Sequence, residues 1–455
     1  MPEEKIHVDL CVIGAGSAGL SVAAGAVQLG FDVALIEKSD MGGDCLNTGC
    51  VPSKAFLASA KAAHNITTAR EYGVVCNDVK IDFATIKDRV ARIIDRIAPH
   101  DSQERFEGMG VKVFREKARF IARDKVRAGN HIISARYFVI ATGSRALIPP
   151  IKGLDEKKIF TNENIFGLKE KPEHLIIIGG GPIGVEMAQA HCRLGCDVSV
   201  IDIANILPKD DPECAAVIKN TLQEEGVVFY ENSDIEEITH HDDRVDIKLK
   251  CDGREKILSG SHLLVAAGRQ ANVDDLDLEK AGVGYTNKGI KTGKTLKTGN
   301  KNIYAAGDVA GGPQFTHVAG YHAGIIIRNM MFKIPAKIAY QALPWVTYTD
   351  PELAQVGMSE QQARERYGEK IRVVKAKFKE NDRAQTESHI EGLAKLVTLK
   401  NGRVLGASIA GPHAGELIAL WAFAISDNLK VKHVAGMIAP YPTYGEINKR
   451  LESEW

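Results

Sequence analysis

The chain has 455 residues, and its 58 Lys+Arg are balanced by 58 Asp+Glu. That length is too great for one ordinary core and predicts about three domains, while the balanced charge excludes the basic surface of a nucleic-acid or anionic-membrane binder. Apolar runs such as Leu175 to Ile178 are too short to span a bilayer and the acidic start MPEEK has no signal-peptide core, so cytoplasm is the expected location.

From His7, the run HVDLCVIGAGSAGLSVAAGAVQLGFDVALIEK reads as strand, glycine turn, small-residue helix and a second strand ending at Glu37. Gly14, Gly16 and Gly19 have the G-x-G-x-x-G spacing. It permits a tight turn, close approach of backbone to a pyrophosphate, and close helix-to-strand packing. Glu37 stands where a carboxylate can accept hydrogen bonds from ribose hydroxyls.

The next segment, GGDCLNTGCVPSK (Gly42 to Lys54), sets Cys45 and Cys50 among glycines at a predicted helix start. Unpaired N–H groups and the positive helix end favour thiolate, the reactive form of cysteine. Redox exchange is favoured over a buried structural pair. It is also favoured over half of a zinc site, which wants closer spacing and a second ligand pair.

The nucleotide pattern returns in HLIIIGGGPIGVEMAQAHCRLGCDVSVID, where Gly179, Gly181, Gly184 and Asp202 repeat Gly14, Gly16, Gly19 and Glu37 at a constant offset of 165. Two such sites in one chain imply two dinucleotides, one prosthetic and one arriving as substrate. Asp202 is followed by Ile203, Ala204 and Asn205, with no cation to receive a 2'-phosphate, so NADH is expected to be preferred over NADPH. Strands also run into small-residue turns at FVIATGSRA (Phe138 to Ala146), LLVAAGRQAN (Leu263 to Asn272) and NIYAAGDVAGG (Asn302 to Gly312). Cys192 and Cys196 are read as small packing residues on one face of the second fingerprint's helix.

With these motifs in this order, the chain resembles the class I pyridine nucleotide-disulfide oxidoreductases, which include dihydrolipoamide dehydrogenase and mercuric reductase. The resemblance covers nearly the whole chain. It implies an α/β fold with two Rossmann-like domains and a C-terminal α+β dimerisation domain. FAD would be bound by 1–150 and 272–340, NAD by 151–271, and the dimer formed by 341–455, whose usual opening LPWVTYTDPELAQVGMSE resembles. Cys50 is then the thiol beside the flavin and Cys45 the interchange thiol, with Lys54 near the flavin and Glu186 as its carboxylate partner. Further cofactor contacts are implied at Ser17, Gly43, Asp44, Ala118, Thr142, Gly143, Gly268, Gly307, Asp308, Thr316 and His317. His317 is expected to serve in packing or hydrogen bonding rather than acid/base chemistry.

Dithiol-disulfide members end in a segment like H-P-T-x-x-E, whose His and Glu act at the other subunit's thiols. Here APYPTYGE (Ala439 to Glu446) keeps Pro442, Thr443 and Glu446 but places Tyr441 at the histidine position. A phenol of pKa ~10 is a poor base at neutral pH. A tyrosine there is similar to mercuric reductase, but this chain ends LESEW without that enzyme's cysteine pair. The expected function is an NADH-driven flavoenzyme passing electrons through Cys45/Cys50 to a small disulfide or metal-ion acceptor, in a homodimer with a shared active site. Docking of a lipoyl protein is a further expectation. A non-catalytic redox sensor or thiol-based metal binder is the remaining alternative.

Overall fold

The computed structural model describes residues 3–455. The first strand, Glu4–Ile13, begins three residues ahead of the run read from His7 and lies at the centre of a seven-stranded sheet. Val33–Ile36 pairs with it in parallel on one side and His131–Ile140 on the other, with Leu10 facing both Val33 and Tyr137. Side chains alternate across a strand. Leu10 and Val12 therefore join a core with helix α1 (Ser17–Gln28), while Cys11 and Ile13 pack on the opposite face with Phe120 and Phe138.

Two helices come after the second strand, the short α2 (Gly43–Asn47) and the long α3 (Cys50–Thr68). The second nucleotide unit is a separate four-stranded parallel sheet of Val228–Tyr230, Asp197–Ile201, His174–Ile178 and His262–Val265. Its fingerprint helix is α4 (Pro182–Arg193). The chain then returns to the first sheet, where Ile303–Ala305 pairs in parallel with His131–Ile140, and enters α5 (Thr316–Met330). The small residues of α1 are explained by this return: a Cβ on Gly25 would stand 2.4 Å from Ile327 of α5.

The helix assignment for Cys196 is corrected. α4 ends at Arg193 because Gly195 turns with φ +84°, its N–H donating to the Cys192 carbonyl and the Cys196 N–H to that of His191. A glycine in the left-handed region is a common helix stop. Cys192 is thus helical, whereas Cys196 lies beyond the turn, and burial raises both thiol pKa values to about 11.

The C-terminal domain is a five-stranded antiparallel sheet in the order Pro344–Thr347, Glu352–Gly357, Val404–Gly411, Leu393–Leu399, Ile371–Lys377. Helices close over it around fully buried Trp421. Among the described residues no helix is long and apolar enough to cross a membrane.

Candidate active site

The two glycine turns have the same geometry. Gly14 and Gly179 have φ of +104° and +115°, and a Cβ on either would stand 2.4 Å from a carbonyl oxygen, of Ala141 or Ala266. A Cβ on Gly19 or Gly184 would meet the Gly14 or Gly179 carbonyl oxygen at 1.8 Å, so only glycine lets the helix approach the turn. Glu37 accepts from the N–H of Ala15 at 2.6 Å and of Ser39 at 2.7 Å. Asp202 does the same from Gly180 at 2.6 Å and Ala204 at 2.8 Å. Both acids thus tie their own turns, leaving further lone pairs for a ribose.

These turns fit dinucleotides. Neither Gly16 nor Gly181 caps its helix with a side chain, and a Cβ on Gly181 would meet nothing within 4 Å. The first-turn N–H groups of both helices therefore have no side-chain cap, and those at Gly181 face open space, an arrangement that binds phosphate. A Cβ on Gly43 would stand 2.7 Å from the Gly16 Cα, so the cysteine segment lies directly on the first turn.

Cys50 opens α3 behind Gly49, and Cys45 comes from α2. Both are free thiols. The Cys45 thiol hydrogen-bonds to Cys50, holding the Cys50 pKa down to about 6 against the effect of burial; Thr316 and the Lys54 charge lower it further. Thr316, the first residue of α5, places its hydroxyl 3.3 Å from the Cys50 Sγ. Cys45 moves the opposite way, raised chiefly by the hydrogen bond it gives to Cys50, and it also contacts Ser17 of α1. The pair is therefore polarised, with Cys50 the thiolate at neutral pH. Alkylation of Cys50 in reduced protein is expected to reach half its limiting rate near pH 6. Thr316→Val should move that midpoint upward by about half a pH unit, as read by mass spectrometry.

One turn beyond Cys50, Lys54 donates to Glu186 of α4 at 2.8 Å. The other Glu186 oxygen accepts from the Tyr348 N–H at 2.9 Å.

Asp44, Asp308 and Ser144 are joined by a residue that sequence reasoning missed. Arg269 donates to the Asp44 carboxylate, donates through Nε to Ser144 Oγ at 2.7 Å, and lies 3.7 Å from Asp308. Ser144 donates to Asp308 at 2.5 Å, and burial raises the Asp308 pKa. His322 was also missed. Fully buried, it accepts the Gly307 N–H at 3.1 Å through Nδ1 and donates to the Tyr340 hydroxyl at 2.6 Å; burial lowers its pKa to about 4. The one sequence clue to Arg269 was a lone cation interrupting a strand-to-turn junction.

The other expected residues are less tightly grouped. Thr142 donates to the Asn272 carbonyl at 2.7 Å, and Gly143 and Gly268 have φ of +68° and +133° on facing turns. His317 stacks on Phe315 and donates to the Pro344 carbonyl at 3.0 Å. Ala118 is buried among Phe120 and Val126 in an outer strand of the first sheet, apart from the cysteine cluster. Tyr441 is 70% exposed on the C-terminal domain and donates to Asp382 at 3.0 Å. Glu446, opening the last helix, accepts from the Thr443 N–H at 3.4 Å.

Two nucleotide folds converging on a polarised thiol pair define a dinucleotide-dependent redox protein. The family description Pyridine nucleotide-disulphide oxidoreductase matches residues 8–323, and its dimerisation domain matches residues 343–451. The chain belongs to this family of FAD-dependent, NAD(P)-binding oxidoreductases. It is 34% identical over 452 residues to a dihydrolipoyl dehydrogenase of Geobacillus stearothermophilus, covering 97% of this chain and 95% of that one. Identity to a mercuric reductase of Bacillus cereus is 32% over 447 residues, or 98% of this chain and 71% of the relative. Among solved structures it is similar to the Cu(II) complex of the HOCl-induced flavoprotein disulfide reductase RclA from Escherichia coli. The TM-score is 0.89 at 28% identity, covering 98% of this chain and 99% of that one.

Proposed function

We propose that the protein uses NADH to reduce an acceptor held by thiolate sulfur, and that a thiophilic metal ion fits this role better than a lipoyl disulfide. FAD would be held by the first glycine turn with Glu37, Asp44 and Asp308, and NADH by the second turn with Asp202. The FAD-binding part comprises 1–150 and 272–340, the NAD-binding part 151–271 and the dimerisation part 341–455. FAD held there would supply the hydride-accepting, two-electron chemistry that links NADH to the Cys45/Cys50 disulfide. The chain's own residues direct the remaining chemistry. Cys50 is kept as thiolate by Cys45, Thr316 and Lys54, while Glu186 fixes the Lys54 ammonium. Cys45 meets the acceptor. Reoxidation of the Cys50 thiolate and the Cys45 thiol to the disulfide releases one proton and two electrons, enough for one Hg(II) to Hg(0) or two Cu(II) to Cu(I).

Tyr441 carries this reading. Its phenol is raised further above neutrality by the hydrogen bond to the Asp382 carboxylate, so it cannot serve as the base that thiol-disulfide exchange uses. Thiolates bind soft metal ions without such a base. The mercuric reductase relatives and the Cu(II)-bound structural neighbour support the same choice. In a cytoplasmic homodimer, Tyr441 and Glu446 of one protomer would face the thiols of the other.

The test is anaerobic turnover with Cu(II), Hg(II), lipoamide, glutathione disulfide and quinones, each with NADH and NADPH. Metal-ion turnover that disappears in Cys45→Ser is expected; equal turnover in that variant overturns the proposal. A second reading, dihydrolipoamide oxidation, is favoured by the 34% and 33% identities to dihydrolipoyl dehydrogenases and by Pro442, Thr443 and Glu446. It requires lipoamide to be the best acceptor. For the coenzyme, Asp202→Ser with Ile203→Arg is expected to lower the KM for NADPH about ten-fold, since a repelling carboxylate is exchanged for a cation. Steady-state kinetics with both coenzymes checks this.

A further inference from the structure

The C-terminal domain inserts a loop into the groove between α3 and α4. Its Asp350 is fixed on three sides: Gln189 of α4 accepts the Asp350 N–H at 2.8 Å and donates to its carbonyl at 2.7 Å, Arg193 donates to its carboxylate at 2.9 Å, and Lys61 of α3 does so at 3.2 Å. Two residues earlier stands Tyr348. Its N–H holds Glu186 at 2.9 Å, and its ring centroid lies 4.3 Å from the Lys54 Nζ. The ammonium is thus paired with Glu186 and rests on an aromatic face, whose quadrupole attracts a cation.

We propose that Tyr348 is a positioning residue for the Cys50/Cys45 relay proposed above, on whose assignment it rests: its ring, delivered by the C-terminal domain, holds the Lys54 ammonium against Glu186 and beside Cys50. Lys54 and Cys50 are one turn apart on α3 and share its face. The groups facing Cys50 are Cys45 from α2, Lys54 from its own helix, Glu186 from α4, Thr316 from α5 and Tyr348 from the C-terminal domain. Without the ring, the long lysine side chain regains rotamer freedom and its charge spends less time near the sulfur. The backbone donor to Glu186 survives any substitution at 348 except proline, so side-chain variants isolate the ring.

The experiment is the pH profile of Cys50 alkylation by iodoacetamide in reduced holoenzyme, read by peptide mass spectrometry with FAD content counted in each variant. Tyr348→Phe should overlay wild type. Tyr348→Leu should shift the profile upward and lower the alkylation rate about three-fold on its acidic limb. In a Lys54→Met background, Tyr348→Leu should change nothing further. Tyr348→Met, which fills similar space, is run in parallel and carries the comparison if the leucine variant loses FAD or fails to fold. Overlay of both the leucine and methionine profiles on wild type overturns the proposal, as does an unchanged leucine effect in the Lys54→Met background. An equal shift in Tyr348→Phe overturns the role of the ring by assigning the effect to the hydroxyl. No electron acceptor enters the assay, so failure here is distinguishable from failure of the proposed metal-ion activity.

Discussion

Tyr441→His is expected to raise dihydrolipoamide oxidation with NAD about a hundred-fold, at the low end of what a positioned acid/base contributes. Attack of a dihydrolipoamide thiol on the Cys45/Cys50 disulfide needs that thiol deprotonated. An imidazole of ordinary pKa near ~6.5 does this at neutral pH, whereas a phenol donating to Asp382 does not. The gain should lie mainly in kcat, with a new acidic limb in the pH profile near the histidine pKa. Metal-ion turnover should stay within about two-fold of wild type, because thiolate ligation needs no base. A variant with unchanged lipoamide kinetics would remove the reason for preferring a metal acceptor.

Lys395→Met should be the most destabilising single change outside the cofactor turns, costing about 3 to 5 kcal/mol. The Lys395 ammonium, in the sheet of the C-terminal domain, is 3% exposed and contacts three carboxylates. Asp211 and Glu213 begin a helix of the NAD-binding unit at 2.9 and 2.8 Å, and Glu360 lies at 2.8 Å. Removing the ammonium leaves Asp211, itself 1% exposed, as a buried charge without its cation. Adding Asp211→Asn should recover part of the loss. Hydrogen bonds from Lys375 and then Lys395 depress the Glu213 pKa, and the Lys395 bond leads at Glu360. Depressed carboxylates stabilise the fold above their unfolded pKa of about 4.3 and lose that contribution as pH falls through the folded value. Acid unfolding of the variant should therefore be less steep than that of wild type. Denaturant and thermal unfolding from neutral pH to about pH 3 checks both statements.

How much of the site was legible in the sequence depended on the range of each interaction. The glycine turns were legible because their constraints are local: the left-handed φ of Gly14 and the Gly19 contact with the Gly14 carbonyl fall within one short motif. The end of α4 was equally local, and Gly195 was the stop signal that the reading of Cys196 overlooked. Lys54 and Glu186 were reachable only through resemblance, since 132 positions separate them. Arg269 reaches Asp44 across 225 positions and Tyr348 reaches Glu186 across 162, with no periodicity to mark either meeting. The placement of Tyr441 was beyond local reading for the same reason.

The hydroxyl beside Cys50 belongs to a residue 266 positions downstream. At roughly 5 to 20 residues per second, a growing chain carries its cysteines for tens of seconds before Thr316 is synthesised. Cys45 and Lys54 are synthesised together with Cys50, but the Thr316 hydroxyl arrives late, so an unfinished chain lacks one of the contacts that lower the Cys50 pKa. Its sulfur is then held less firmly as the thiolate, the form that oxidises. Full activation of Cys50 therefore waits on the return of the chain to the first sheet that brings Thr316, so this long-range contact delays thiol reactivity during biosynthesis.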